Sequence, residues 1–273
     1  MEFHCPIDGK ALSANEATLR CPDGHSFDRA KEGYYNLLLV QQKASLDPGD
    51  NKEMVEARRR FLAAGYFAPI AEKLAEFSQR LTAGMRSPRI LDAGCGEGYY
   101  LGRVQAAIPG ADLAGIDISK WAVKAAAKSH KKIAWAVASS KQLPFAKNSQ
   151  DLILCLFGFP FWESFRSALA DGGHLLLVDP APEHLWELRE LIYDKVNSTD
   201  LSKIDGAFAA GFSVVGEETL TFSITLESNG AIQDLLAMTP HGYRITAEAR
   251  ERLGGVQRLT TRVSVAFRLL RRG

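Results

Sequence analysis

The sequence predicts a doubly wound α/β protein: an open, mostly parallel sheet covered by helices on both faces, ending in an antiparallel strand, with a small cysteine-bearing module ahead of it. Three observations predict this. Between residues 88 and 178, five short apolar runs alternate with helical stretches, as parallel strands buried on both faces do. The first run leads into a glycine loop, Asp92-Ala93-Gly94-Cys95-Gly96-Glu97-Gly98, where such a sheet opens its ligand crevice. The last third holds two alternating stretches, Leu220 to Leu226 and Leu259 to Leu269, that suit a terminal antiparallel pair.

Composition narrows the class further. The 273 residues carry 33 Lys+Arg against 32 Asp+Glu, a net charge of +1, which excludes a uniformly basic nucleic-acid binder but not local basic patches. A hydrophobic content of 46% excludes a disordered chain. Four cysteines are too few for a secreted disulfide scaffold, and Met1 to Pro6 lacks the apolar core of a signal peptide. The longest uncharged apolar stretch, Leu152 to Trp162, is too short to span a bilayer and contains Gly158 and Pro160. The expectation is a reduced cytoplasmic protein with no membrane partner.

The first forty residues are turn-rich and hold Cys5-Pro6-Ile7-Asp8 and Cys21-Pro22-Asp23-Gly24-His25, two arms of a zinc-knuckle pattern. A tetrahedral zinc site needs four ligands, and Cys5, Asp8, Cys21 and His25 supply them, with Asp8 where a cysteine is expected. Two readings stay open: Zn2+ held by this mixed set, or a metal-free module resting on the packing of Phe3, Leu19 and Phe27. A polar loop over 41–51 follows, with the turn Asp47-Pro48-Gly49-Asp50. Helical patterns then run from Lys52 through Leu62, and from Pro69 to Leu81 with the proline in the first turn.

Strands are expected at Arg89 to Asp92, Leu113 to Asp117, Ile133 to Val137, Leu152 to Phe157 and His174 to Val178, the last entered through a Gly172-Gly173 turn. A helix fills Ser119 to Ser129. These boundaries divide the chain into a ribbon-like module over 1–40, a helical connector over 41–84 and a catalytic domain over 85–273.

The loop spacing is Gly-x-Gly-x-Gly, with Asp117 closing the second strand. A carboxylate there can accept both hydroxyls of a ribose. Tyr99 and Tyr100 stand where a dinucleotide fingerprint carries its last glycine, which speaks against NAD. The pattern resembles the class I S-adenosylmethionine-dependent methyltransferases. This makes Asp92, Gly94, Gly96, Glu97, Gly98, Tyr99 and Asp117 the cofactor-binding candidates. At the end of the fourth strand, Phe157 and Phe159 are either core packing or the aromatic platform for a substrate, and Asp179 after the fifth strand is a candidate proton acceptor.

The chain as a whole resembles the bacterial 23S rRNA guanine-N1 methyltransferases. The resemblance runs through Cys5 to Asp28, Lys31 to Leu38, Asp47 to Asp50, Ala57-Arg58-Arg59, Phe61 to Gly65, Asp92 to Tyr100 and Glu183 to Leu188. It implies S-adenosylmethionine as cofactor, a 23S rRNA hairpin as substrate, a homodimer, and a zinc ribbon that helps recognise RNA. It further implies cofactor contacts from Phe67, which replaces a tyrosine usual in the family, and from His184. Arg58 and Arg59 are the implied RNA contacts. Beside them, residues 120–147 hold seven lysines and no carboxylate, and residues 244–273 hold eight arginines against two glutamates. Such segments are either solvated faces or phosphate-binding patches. A small-molecule methyltransferase and a catalytically inactive RNA-binding or ribosome-assembly module are the alternative functions.

Overall fold

The computed structural model describes residues 1–43, 45–196 and 204–273. The loop expected over 41–51 is therefore described except at residue 44. Three short strands open the chain: β1 (Ser13–Asn15), β2 (Thr18–Arg20) and β3 (Ser26–Asp28) form an antiparallel ribbon in that order. β4 (Tyr35–Asn36) then leaves the ribbon for the main sheet. Two helices follow, α1 (Lys52–Ala63) and α2 (Ala68–Leu81). Asn51 caps α1 by accepting from the Met54 amide at 3.0 Å, and Pro69 lies in the first turn of α2.

The alternating region is β5 (Arg89–Ala93), α3 (Tyr99–Ala107), β6 (Asp112–Asp117), α4 (Lys120–Ser129), β7 (Ala134–Val137), β8 (Gln150–Leu156), α5 (Trp162–Ala168) and β9 (Leu169–Pro180). The C-terminal part adds α6 (Trp186–Ile192), α7 (Asp205–Ala209), β10 (Phe212–Leu226), α8 (Asn229–Ala237), α9 (His241–Arg244), α10 (Ala247–Gly254) and β11 (Leu259–Arg272). The eight-stranded sheet has the order β10-β11-β9-β8-β5-β6-β7-β4. Among these, β11 alone runs opposite to the other seven, pairing antiparallel with both β9 and β10. From β5 the chain winds first toward β6 and β7, then back to β8 and β9, so the crevice at the carboxyl ends of β5 and β6 is the topological switch point.

Apolar alternation explains why both faces are covered. In β8, Leu152, Leu154 and Leu156 enter one core with Trp135, Leu74 and Phe267, while Ile153 and Cys155 enter a second on the other face. That second core also contains Phe3, Cys5, Leu12, Leu19 and Cys21 from the ribbon, beside Leu91, Ala114 and Ile153 of the sheet. Tyr35 and Asn36 pair in parallel with Ala136 and Val137, making β4 the edge of the main sheet. The ribbon is thus docked on the sheet and stitched to its edge.

Two expected boundaries move. Gly172-Gly173 does not precede the fifth strand but lies within β9, where Gly172 takes φ +72° and pairing with β8 is irregular. β10 begins at Phe212, eight residues before the first apolar alternation, because Ser213 to Thr219 are exposed on an outer strand and need no apolar pattern. No helix among the described residues is long and apolar enough to cross a membrane.

Candidate active site and metal centre

At the end of β5 the chain turns through three glycines with positive φ: Gly94 at 96°, Gly96 at 55° and Gly98 at 87°. Gly98 leads into α3, and a Cβ there would stand 2.9 Å from the Trp135 ring. At Gly94 a Cβ would meet nothing within 4 Å, so the loop opens onto free space. The Gly94 and Cys95 amides both donate to the Ile116 carbonyl at 2.9 Å, which fixes the loop against β6. Asp117, closing β6, accepts the Gly96 amide at 3.0 Å on one oxygen and the Ser119 amide at 2.8 Å on the other.

Carboxylates crowd this crevice. Burial raises the Asp117 carboxyl above its ordinary range, against the pull of the two amides. Asp92 is 1% exposed, its Oδ1 has no hydrogen-bond partner, and burial next to Asp117 and Glu97 pushes its carboxyl up to about 8. Burial also raises Glu97, while the charge of Arg58 works in the opposite direction. An open glycine cradle, a ribose-competent carboxylate and an orphaned buried carboxyl oxygen fit an adenosyl cofactor bearing a sulfonium and an ammonium.

Aromatic residues form the other wall. Phe67, just before α2, is 6.2 Å from His184 and 6.5 Å from Phe157 between ring centroids. Phe157 also lies 6.2 Å from His184 and 6.4 Å from Tyr100, and its backbone takes a left-handed φ of 54° at the end of β8. A bulky residue held there stores strain, a feature concentrated at ligand sites. His184 Nδ1 accepts the Ser264 amide at 3.3 Å, and burial pushes the ring down to about 4. The ring is therefore neutral with its proton on Nε2. Asp179 is 3% exposed near the end of β9, one residue past Val178, whose carbonyl accepts the Phe157 amide at 2.8 Å. Phe159 is 73% exposed. Glycine loop, Asp117 and this aromatic wall all lie at the carboxyl ends of parallel strands.

The expected RNA residues part company. Arg59 is exposed and lies 3.3 Å from Glu56 one turn away. Arg58 is only 22% exposed, pairs with the Asp50 carboxylate and donates to the Met238 carbonyl at 3.4 Å. Asp50 belongs to the crevice as well; the sequence marked it as part of a turn and of the family resemblance, not as a site residue.

In the ribbon, the ligand atoms of Cys5, Asp8, Cys21 and His25 all lie within 4.8 Å of one another. His25 Nδ1 is 3.5 Å from Cys5 Sγ, 3.2 Å from Cys21 Sγ and 3.0 Å from Asp8 Oδ2, and Cys21 Sγ is 3.1 Å from the same oxygen. A tetrahedral zinc with bonds of about 2.0–2.3 Å sets ligand spacings in this range. The Lys10 amide holds Asp8 Oδ1 at 2.9 Å, leaving Oδ2 for the centre, and leads the contacts that keep this carboxyl well below the usual carboxylate range. The donor set fits zinc, with one hard oxygen among softer sulfur and nitrogen.

Comparison with known proteins agrees at three levels. Residues 3–46 match a zinc-ribbon family model described as "RlmA, N-terminal", and residues 90–176 match a methyltransferase domain. A 23S rRNA (guanine(748)-N(1))-methyltransferase of Streptomyces fradiae is 32% identical, covering 98% of this chain and 96% of its own. A relative from Bacillus subtilis (strain 168), whose name also refers to a 23S rRNA (guanine-N(1)-)-methyltransferase, is 33% identical over 87% of this chain and 86% of its own. Among solved structures, the YcgJ protein of Bacillus subtilis shares the fold, with a TM-score of 0.50 at 17% identity, over 74% of this chain and 98% of that one. With a metal-ligand ribbon docked on a glycine-loop sheet, and full-length relatives above 30% identity, the chain belongs to the 23S rRNA (guanine-N1)-methyltransferase family.

Proposed function

We propose that this chain transfers a methyl group from S-adenosylmethionine to N1 of a guanine in a 23S rRNA hairpin. The observation that carries the reading is the union, in one docked body, of the Cys/Asp/Cys/His ribbon with the glycine-loop crevice and Asp117. A small-molecule methyltransferase has no need of the ribbon, and an inactive module has no need of an open cradle.

The cofactor, when bound, supplies an electrophilic methyl group on its sulfonium. The chain's residues then do the following. Gly94, Gly96 and Gly98 let the backbone approach its amino-acid part, beside Asp92, Glu97 and Tyr99. Asp117 accepts the ribose hydroxyls with the lone pairs its two amide contacts leave free. His184 would offer its Nε2–H, and Phe67 its ring, to the cofactor beside Phe157. Guanine N1 is protonated at neutral pH and lies on the pairing edge, so the base must leave its stack at a cost of about a few kcal/mol. Phe157 and Phe159 stack on the extruded base, as aromatic platforms do. Guanine N1 would take up the methyl group that the cofactor supplies, and Asp179 would receive the N1 proton displaced by it. Holding the reacting atoms in line supplies roughly 7–11 kcal/mol of the barrier reduction.

Arg59 contacts RNA phosphates, zinc on Cys5, Asp8, Cys21 and His25 shapes the ribbon for the RNA, and two copies of the chain act together in the cytoplasm. Primer extension on 23S rRNA from cells with and without the gene tests the central claim. N1-methylguanine blocks reverse transcription, so a gene-dependent stop within one hairpin is expected. Identical extension products from both cells would overturn it.

A further inference from the structure

Arg58 stands where three segments meet. From the inner side of α1 its guanidinium pairs with Asp50 and reaches the Met238 carbonyl after α8. A Cβ placed on Gly96 would lie 3.6 Å from its Nη1, so the guanidinium roofs the glycine loop. Asp50 is tied to the same crevice: its carbonyl accepts the Ser119 hydroxyl at 2.6 Å, and the Ser119 amide donates to Asp117. The turn before it is clamped to the start of α4, because the Trp121 indole donates to Asp47 at 2.7 Å and Gly49 leaves no room for a Cβ against Ile118 and Ser119.

The charges around this point are unbalanced. Asp50, Glu97 and Asp117 all act on the Arg58 guanidinium, with Asp92 behind them. On Glu97 the opposing cations are Arg58 first and Arg59 second. The Cys95 thiol and the Tyr100 phenol, pushed up by burial and the same carboxylates, stay neutral and relieve nothing. Ionised carboxylates this close repel one another, and a guanidinium among them favours their charged forms.

We propose that Arg58 is a positioning residue for the cofactor rather than an RNA contact: fixed by Asp50 and Met238 above Gly96, it sets its positive charge against Asp117 and Glu97 and keeps the glycine loop covered. The inference rests on the methyltransferase reading. It separates Arg58 from Arg59 physically, since one guanidinium is engaged inside the crevice and its neighbour is 45% exposed.

Calorimetric titration of S-adenosylmethionine onto the full-length protein tests this without any turnover. Arg58→Met is expected to weaken binding by about tenfold near pH 7. The carboxylates then need a higher pH to ionise, so the wild-type-to-variant affinity ratio is expected to grow as pH falls and to shrink as it rises. Taking the ratio cancels the ligand's own ionisation. Arg58→Lys, which keeps the charge, is expected to recover most of the loss. Asp50→Asn keeps the guanidinium but removes the carboxylate that fixes it above Gly96, so it is expected to weaken cofactor binding as well; this arm stands even if Arg58→Met fails to fold. A pH-independent loss that lysine does not rescue, or unchanged cofactor affinity with weakened RNA binding, would overturn the proposal, as would an Asp50→Asn profile identical to wild type. Failure of the wild-type protein to bind the cofactor would overturn the methyltransferase reading itself.

Discussion

Asp92 shows most directly how this fold exchanges stability for a site. Its carboxyl is 1% exposed with an unpartnered oxygen and sits at about 8 instead of 3.8. A folded-state value raised this far means stability is fully present below about pH 4 and is lost as pH rises toward 8. The cost near pH 7 is on the order of 4 kcal/mol as an upper bound. Asp92→Asn removes the ionisation but keeps an unsatisfied amide, so a net gain of about 1–3 kcal/mol is expected, or roughly 2–8 °C in melting midpoint. The gain should be present at about pH 8 and gone at about pH 4, while cofactor affinity falls. Melting curves at the two pH values check this; equal midpoints for both proteins at the higher pH would refute it. Some of the crevice was legible at this scale. The glycines and Asp117 carry their own signal, because only glycine tolerates those φ values. Arg58 was legible too, had helical phase been used: it lies three or four residues from Met54, Val55, Phe61 and Leu62, all buried, whereas Arg59 is turned by about 100° to the outside. Asp50 carried no such mark, since Ser119, which ties it to the crevice, is nearly seventy residues away in sequence and meets it only after folding.

Among the elements, the parallel strands were legible because each is a continuous apolar run buried on both faces. β4 was not. It is two residues long, its partner β7 is a hundred positions away, and what pairs them is backbone rather than apolar pattern. Its consequence is mechanical coupling. The ribbon shares a core with Leu91, Ala114 and Ile153 and continues into the sheet edge, so it is not expected to melt alone. Structural zinc contributes on the order of 10–16 kcal/mol to such a site. Stripping it with a chelator is therefore expected to lower the midpoint of the main unfolding transition, not merely to add a small early one. Asp8→Ala should reduce bound zinc and reproduce the shift, and Asp8→Cys should restore a three-sulfur site that holds zinc more tightly. Metal analysis alongside calorimetry tests both. Protein that contains zinc, loses it to chelator and melts unchanged would show that the ribbon is energetically independent.

At the scale of the molecule, a net charge of +1 conceals two basic segments that folding treats differently. The C-terminal arginines are largely spent within the protein: Arg258 faces Glu227, Arg262 faces Glu183, Arg268 faces Glu217 and Arg272 faces Asp171. The lysine segment is not. Lys124 lies 3.5 Å from Glu32, but Lys120, Lys128, Lys131 and Lys132 are exposed and have no carboxylate partner among the described residues. Ser129 and His130, between Lys128 and Lys131, line a cavity of about 390 Å³ together with Arg59, Arg60 and Glu97. The end of α4 and the outward-facing Arg59 thus border the same opening beside the glycine loop, and the RNA backbone is expected to run along it. Each phosphate neutralised along it should contribute roughly 0.7–0.9 to the slope of log affinity against log salt. Lys128→Glu with Lys131→Glu is expected to weaken 23S rRNA hairpin binding at low salt and to lower that slope by about 1.4–1.8. Arg258→Ala with Arg262→Ala, which breaks internal pairs instead, should leave the slope unchanged. Filter binding over a salt series distinguishes the two surfaces. If the arginine pair moved the slope and the lysine pair did not, the RNA would cross the β10–β11 side of the sheet, and the path beside α4 would be wrong.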